Sequence, residues 1–195
     1  MEIIRKDWSF LEGTNCYCSD GSAEIIRKDI SNIPLEAILS FSTGDYHYIS
    51  LFRLELIREP FNLALFDNHP DDQAGAFDAD LLSCGSWVAE ARKKLGNLRD
   101  VFWTRDKFEA PGEDLPVFIS LDLDILSTDD YRTNWDQGNM RLEGLLDCLR
   151  TLFASRRILG MDICGGITKE KGASPEDLAI NEGTEKALFS FLAAI

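Results

Sequence analysis

Residues 66–72 read FDNHPDD, and GDYHY at 44–48 and DLD at 122–124 vary the same theme. The chain's only two histidines, His47 and His69, sit among acids directly behind apolar runs. Asp45 and His47 follow AILSFST, Asp67, His69 and Asp71 follow NLALF, and Asp122 and Asp124 follow VFISL. In an extended chain, residues at i, i+2 and i+4 project to one side. Asp67, His69 and Asp71 can therefore converge, and so can Asp122 and Asp124. Five carboxylates gathered away from water repel one another and lose hydration, so a divalent cation is their natural counterion. Carboxylates with two imidazoles suit Mn²⁺ better than a thiolate-seeking ion. Six candidate ligands (His47, Asp67, His69, Asp71, Asp122 and Asp124) exceed the needs of one tetrahedral ion. They suit two ions sharing carboxylates. Each short pattern alone is weak, and a histidine behind a strand is more often structural. The conjunction at three strand ends is what points to a metal site.

Such a site needs strands to present it. AILSFST (37–43) and NLALFD (62–67) read as buried strands, and RDVFW (99–103), VFISLDLD (117–124) and RILGMDI (157–163) as further strands. Helical stretches alternate with them at about 46–57, 83–95, 140–154 and 175–195. Near-continuously apolar strands alternating with helices imply a parallel sheet covered on both faces. The expected class is α/β, a three-layer α/β/α sandwich with a mostly parallel central sheet, as one domain over 1–195. In such sheets ligands bind beyond the carboxyl ends of the strands, where these acids lie. The first 30 or so residues read as short strands and turns, with AEIIRKDI (23–30) alternating as a strand.

Composition bounds the function. The 195 residues carry a net charge of -14, with 45% hydrophobic and 28% charged residues, as in an ordinary soluble protein. A surface this acidic repels phosphate backbones and excludes nucleic acid as a partner. No apolar stretch is long enough to span a bilayer. MEIIRKDWSF lacks the apolar core of a signal peptide, which makes a cytoplasmic location the expectation. Five cysteines cannot all pair within one chain. Cys16 and Cys18 would share one face of a strand, and are expected as reduced structural residues.

The motifs resemble those of the arginase-like ureohydrolase family of arginase, agmatinase and formimidoylglutamase. GDYHY is similar to the family's GGDHS, DNHPD to DAHxD, and SLDLDIL to SxDxDxxDP, over about residues 35–165. The resemblance implies an arginase/deacetylase-like fold and two Mn²⁺ per chain. His47 and Asp71 would be terminal ligands of one ion, His69 and Asp124 of the other, with Asp67 and Asp122 bridging. It also implies attack on a guanidinium or amidine carbon by a water or hydroxide held between the ions. Where the family carries a shuttle histidine, LLSCGSWV offers Cys84. Where it carries a glutamate that grips the guanidinium, GMDICGG keeps Asp162 but has Gly165. The proline after the DxD segment is absent, and the N-terminal part is shorter.

These departures make arginine and agmatine doubtful substrates. The expected activity is hydrolysis of a non-peptide C–N bond (amidine, guanidine or amide) in a small molecule. Asp124, Asp162 and Cys84 are the catalytic candidates, Asp162 as a partner that orients a ligand histidine. One alternative is a mononuclear Zn²⁺ deacetylase-like enzyme using Asp67, His69 and Asp122. Another is a catalytically inert metal-binding module. Trp135, in TNWDQGN, is placed to overhang the ions, while Asp72, Asp78 and Asp80 read as solvated loop acids. A homo-oligomer is possible, and no membrane partner is expected.

Overall fold

The computed structural model describes residues 1–73, 81–111 and 114–195. Asp78 and Asp80 lie outside these residues. Six strands form one sheet: β1 (Ile3–Lys6), β2 (Ile38–Phe41), β3 (Phe61–Phe66), β4 (Leu98–Thr104), β5 (Val117–Asp122) and β6 (Ile158–Cys164). Their order is β1-β2-β6-β5-β3-β4, and every pairing is parallel. The helices are α1 (Asp20–Ile30), α2 (Ile49–Leu54), α3 (Trp87–Lys94), α4 (Leu142–Ser155) and α5 (Pro175–Ala194).

The direction of chain travel decides the layers. From β1 through β4 the chain moves across the sheet one way, with α1, α2 and α3 in the crossovers. From β5 to β6 it moves back, with α4 between them. Right-handed crossovers then put the first three helices on one face and α4 on the other. The two cores agree with this. Ile26, Ile30, Phe52 and Trp87 pack with Leu63, Leu65 and Phe118, while Leu145, Leu149 and Leu188 pack with Phe66, Ile119 and Leu121. All six residues of both β3 and β5 are buried, as a doubly covered parallel sheet requires. The expected three-layer α/β/α architecture is present.

Residues 23–30 correct one expectation, for they belong to α1 and not to a strand. Ala23, Ile26 and Ile30 are buried at i, i+3 and i+7, and Ile25 is left exposed. The helical stripe won because it could face the core beside β2. Cys16 and Cys18 do not share a strand face either. Cys18 joins the core, while Cys16 has a positive φ of 62° and lines a cavity. The helix expected over 46–57 is shorter, with a 3₁₀ turn at Gly44–Tyr46 preceding α2.

β3 and β5 are neighbours from which the chain departs in opposite directions, to β4 and to β6. Beyond the carboxyl ends of such a pair a crevice opens, and ligands bind there.

Candidate metal centre

Three chain segments reach that crevice. After β2, the Gly44–Tyr46 turn delivers His47 at its end. After β3 come Asp67, His69 and Asp71, and β5 ends on Asp122 with Asp124 in the turn Leu123–Ile125. Convergence is not the simple i, i+2 alternation expected from extended chain. Asp67 Oδ1 accepts from the His69 amide at 2.6 Å, and Asp71 takes a positive φ of 49°. Asp122 caps its turn by accepting from the Asp124 amide at 2.9 Å. The strands bring the residues to the crevice, and local turns aim them.

The six side chains meet there. His47 Nδ1 lies 3.0 Å from Asp67 Oδ2, 2.9 Å from Asp71 Oδ2 and 3.6 Å from Asp122 Oδ2. His69 Nδ1 lies 2.9 Å from Asp124 Oδ2 and 3.6 Å from Asp67 Oδ1. Ligating atoms therefore fall into close groups: His47 with Asp67 and Asp71, and His69 with Asp67 and Asp124. A third group joins His47, Asp122 and Cys164. Asp67 belongs to two groups, one carboxylate oxygen facing each histidine.

The donor set fits cations better than it fits itself. His47 Nδ1 and Asp67 Oδ2 are buried, close and without a hydrogen bond of proper geometry. The far nitrogen of His47, Nε2, is 2.8 Å from Ser120 Oγ, which donates to Ser50 Oγ at 3.1 Å. Ser120 can thus accept from Nε2 and pass the hydrogen bond onward, which would leave Nδ1 for a cation once its own proton is displaced. Burial and the neighbouring Asp124 and Asp67 push the Asp122 carboxyl well up. Burial pushes Asp124 up to about 6 and also raises Asp71. Hydrogen bonds to Asp124 and Asp67 lift His69 to about 10. Burial works against charge on His47, yet Asp67 and Asp71 hold it well above its ordinary value. The protein alone thus answers crowded negative charge by retaining protons.

Above the cluster opens a cavity of about 290 Å³, walled by Cys16, Tyr17, Gln73, Ser83, Cys84 and Trp135. Trp135 does overhang the site, its ring 6.2 Å from that of His69. Asp45 fixes this overhang. It is buried and accepts from Trp135 Nε1 at 3.0 Å, Asn134 Nδ2 at 3.2 Å and Thr43 Oγ1 at 2.9 Å. Lys171 Nζ lies 2.8 Å from its other side. Burial would raise Asp45, but Lys171 and Thr43 hold it below the usual carboxylate range.

Cys84 lines the cavity, and burial pushes its thiol up. Asp162 lies apart from it: among the described residues its ionic partner is Arg53, at 3.4 Å within the core. His47 is oriented by Ser120 where Asp162 was expected. Gly165 explains itself sterically. Its φ is 107°, and a Cβ there would stand 2.1 Å from Asp122 Oδ1. A side chain at this position collides with the cluster. Asp72 is exposed, as expected. Asp130 pairs with Arg141 at 2.6 Å, away from the site.

Sequence reasoning missed Ser120 and Trp87. Ser120 stands two residues before Asp122 on one strand, which was the available signal. Trp87 donates from Nε1 to Asp71 Oδ2 at 2.7 Å, and nothing in its surroundings in the sequence announces that bond.

No protein-family model matches the chain. An uncharacterised protein of Thermotoga maritima is 33% identical over 138 residues, covering 63% of this chain and 55% of the relative. The chain thus spans about half the length of the curated relative it matches. A putative agmatinase from Clostridium difficile superposes with a TM-score of 0.65 at 13% identity, over 89% of this chain and 73% of that one. A Trypanosoma brucei arginase-like triple mutant bound with Mn²⁺ gives 0.53 at 18% identity, over 91% and 70%. Agmatinase, formimidoylglutamase and arginase structures from other organisms match as well. The chain has the arginase-like ureohydrolase fold. At these identities the likeness is one of fold. Within that fold, the candidate ligand groups lie at the carboxyl edge of the sheet. None of the described helices is long and apolar enough to cross a membrane.

Proposed function

We propose that this arginase-like chain is a dinuclear metal-dependent hydrolase of a non-peptide C–N bond (amidine, guanidine or amide) in a small molecule. The observation that carries the reading is Asp67, whose two carboxylate oxygens face His47 and His69 separately. His47 and Asp71 would hold one ion, and His69 and Asp124 the other. Asp67 and Asp122 would lie between them. Mn²⁺ suits this oxygen-rich set. Two bound divalent cations would supply a water of lowered pKa and charge stabilisation at the carbon under attack.

The chain's own residues do the rest. Ser120 fixes the His47 tautomer, and Trp87 holds Asp71. Trp135 narrows the mouth, and the Asp45 contacts keep it in place. His69, with a third of its side chain exposed, borders the open cavity. Four ligand carboxylates balance two divalent ions, and the other wall residues (Cys16, Tyr17, Gln73, Ser83, Cys84 and Trp135) carry no acid. Among the described residues the loaded pocket would have no free carboxylate for a guanidinium, which favours amides and weakly basic amidines.

One observation favours a second reading. Cys164 Sγ sits 3.4 Å from Asp122 Oδ2, and with His47 completes a sulfur-containing group suited to a single Zn²⁺. Elemental analysis after manganese loading, with Asp122→Ala alongside, separates the readings. About two Mn per chain, lost in the variant, is the expected outcome, followed by turnover on a panel of amides, amidines and guanidines. One retained Zn supports the mononuclear reading. Metal without turnover on any substrate supports an inert metal-binding module, and no bound metal sinks all three.

A further inference from the structure

Cys16 and Cys84 stand opposite each other on the rim of the cavity. Tyr17 and Ser83 form an isolated antiparallel bridge, flanked by hydrogen bonds from the Cys18 amide to Leu82 O and from the Cys84 amide to Cys16 O, both 2.9 Å. That register sets Cys84 opposite Cys16, joined by one backbone hydrogen bond where the ladder ends at the positive φ of Cys16, and the two thiols are near enough to interact. Both line the cavity over the acid cluster. Chains joined by antiparallel hydrogen bonds run about 5 Å apart, within the Cα range of about 4.4–6.8 Å that a disulfide spans. The other cysteines are placed differently. Cys18 is in the core, Cys164 is buried against Asp122, and Cys148 lies on α4 across the sheet.

We infer that Cys16 and Cys84 form a reversible disulfide that staples the cavity rim, making this pair a redox modification site. The oxidant is a small-molecule disulfide such as oxidised glutathione. One thiolate of the pair attacks an oxidant sulfur and breaks its S–S bond, releasing one reduced thiol and leaving a mixed disulfide. The second cysteine then attacks the protein sulfur of that bond, closing Cys16–Cys84 and releasing the second reduced thiol. The two cysteine protons end on the two released thiols, so two cysteines are oxidised and one disulfide reduced. Closure removes the Cys16 thiol that now donates to Asp45 Oδ1 at 3.4 Å. That couples the rim's redox state to the acid that holds Trp135. Burial raises both thiols, so exchange is slow and is best run to equilibrium.

The test needs no bound metal, so its outcome is independent of the hydrolase reading. The intact chain is incubated with oxidised glutathione, alkylated and denatured, and its thiols are counted. Peptide mass spectrometry then maps any linkage. Five free thiols, matching the five cysteines, should fall to three. The single linked pair should be Cys16–Cys84, and a reducing thiol should restore all five. Tm should rise by several degrees on oxidation, because the bond closes a loop of nearly seventy residues. Cys148→Ser should still form the bond, and Cys84→Ser should form none. Five thiols remaining at equilibrium, or a linkage through Cys18, Cys148 or Cys164, would overturn the inference. Because the mapping is read on the unmutated chain, poor folding of a variant cannot obscure it.

Discussion

Two buried charged regions share the strands of this sheet, and they solve the same problem in opposite ways. Beneath the cluster, on the face covered by α2, Arg53 is fully buried beside Asp162. Its guanidinium donates to Pro34 O at 3.0 Å, Leu35 O at 2.8 Å and Ala37 O at 3.0 Å. Charge there is paired one to one, and backbone carbonyls take up the two terminal nitrogens, while Arg53 Nε and both Asp162 oxygens meet only as an ion pair. At the carboxyl edge, four carboxylates meet two histidines, and His47 Nδ1 has no hydrogen bond. The first region supplies its own countercharge. The second is complete only with cations, and that asymmetry is the physical content of the functional proposal.

The sharpest way to break the comparison is to unbalance the charge-paired region. Arg53→Met leaves Asp162 buried and unpaired, which should cost about 3–5 kcal/mol. Urea unfolding measures this, and adding Asp162→Leu should restore most of the loss. A small cost for the single variant would mean that the pair is not an isolated charge balance. Asp67→Asn is the corresponding change in the acid-rich region. It should lower manganese retention by more than about 100-fold while leaving the metal-free Tm unchanged or higher, because one of several like charges is gone. Retained metal would show that Asp67 does not join the two groups.

A smaller effect is expected from Ser120→Ala, which leaves His47 Nε2 without its partner. Manganese affinity should drop about 10–100-fold with near-normal stability, measured by titration calorimetry. The smallest is a pH effect. Asp124 is raised from 3.8 to about 6 and Asp162 from 3.8 to about 7, so the folded protein holds protons that the unfolded chain releases. Stability from these groups is therefore lost as pH rises from near 4 to 7. His69, raised from 6.5 to about 10, continues the same trend above neutrality. Metal-free Tm should thus be lower at pH 8 than at pH 5, and manganese should flatten that slope. An upward slope without metal would show that these groups do not retain their protons in the folded protein.

Most of this architecture was legible from residue order. Apolar runs of strand length, each ending in acid or histidine, dictated a parallel sheet with its chemistry at one edge, because such strands must be covered on both faces. Local pattern misled at 23–30, where a β-branched stretch fits either period and only packing beside β2 selects the helix. The six candidate ligands were identifiable because the chain's only two histidines are clustered with aspartates behind strands.

Their partners were not. That His47 meets Ser120, that Asp71 meets Trp87, and that Asp45 binds Lys171 and Trp135 depend on contacts between residues far apart in sequence. The same holds for Gly165, whose missing glutamate was visible in the sequence but whose reason, a backbone pressed against Asp122, was not. The sequence by itself determined which groups reach the carboxyl edge of the sheet, since a strand fixes where its last residue goes. Tertiary structure alone decided which oxygen faces which nitrogen, since contact between residues of different elements follows from packing and not from spacing.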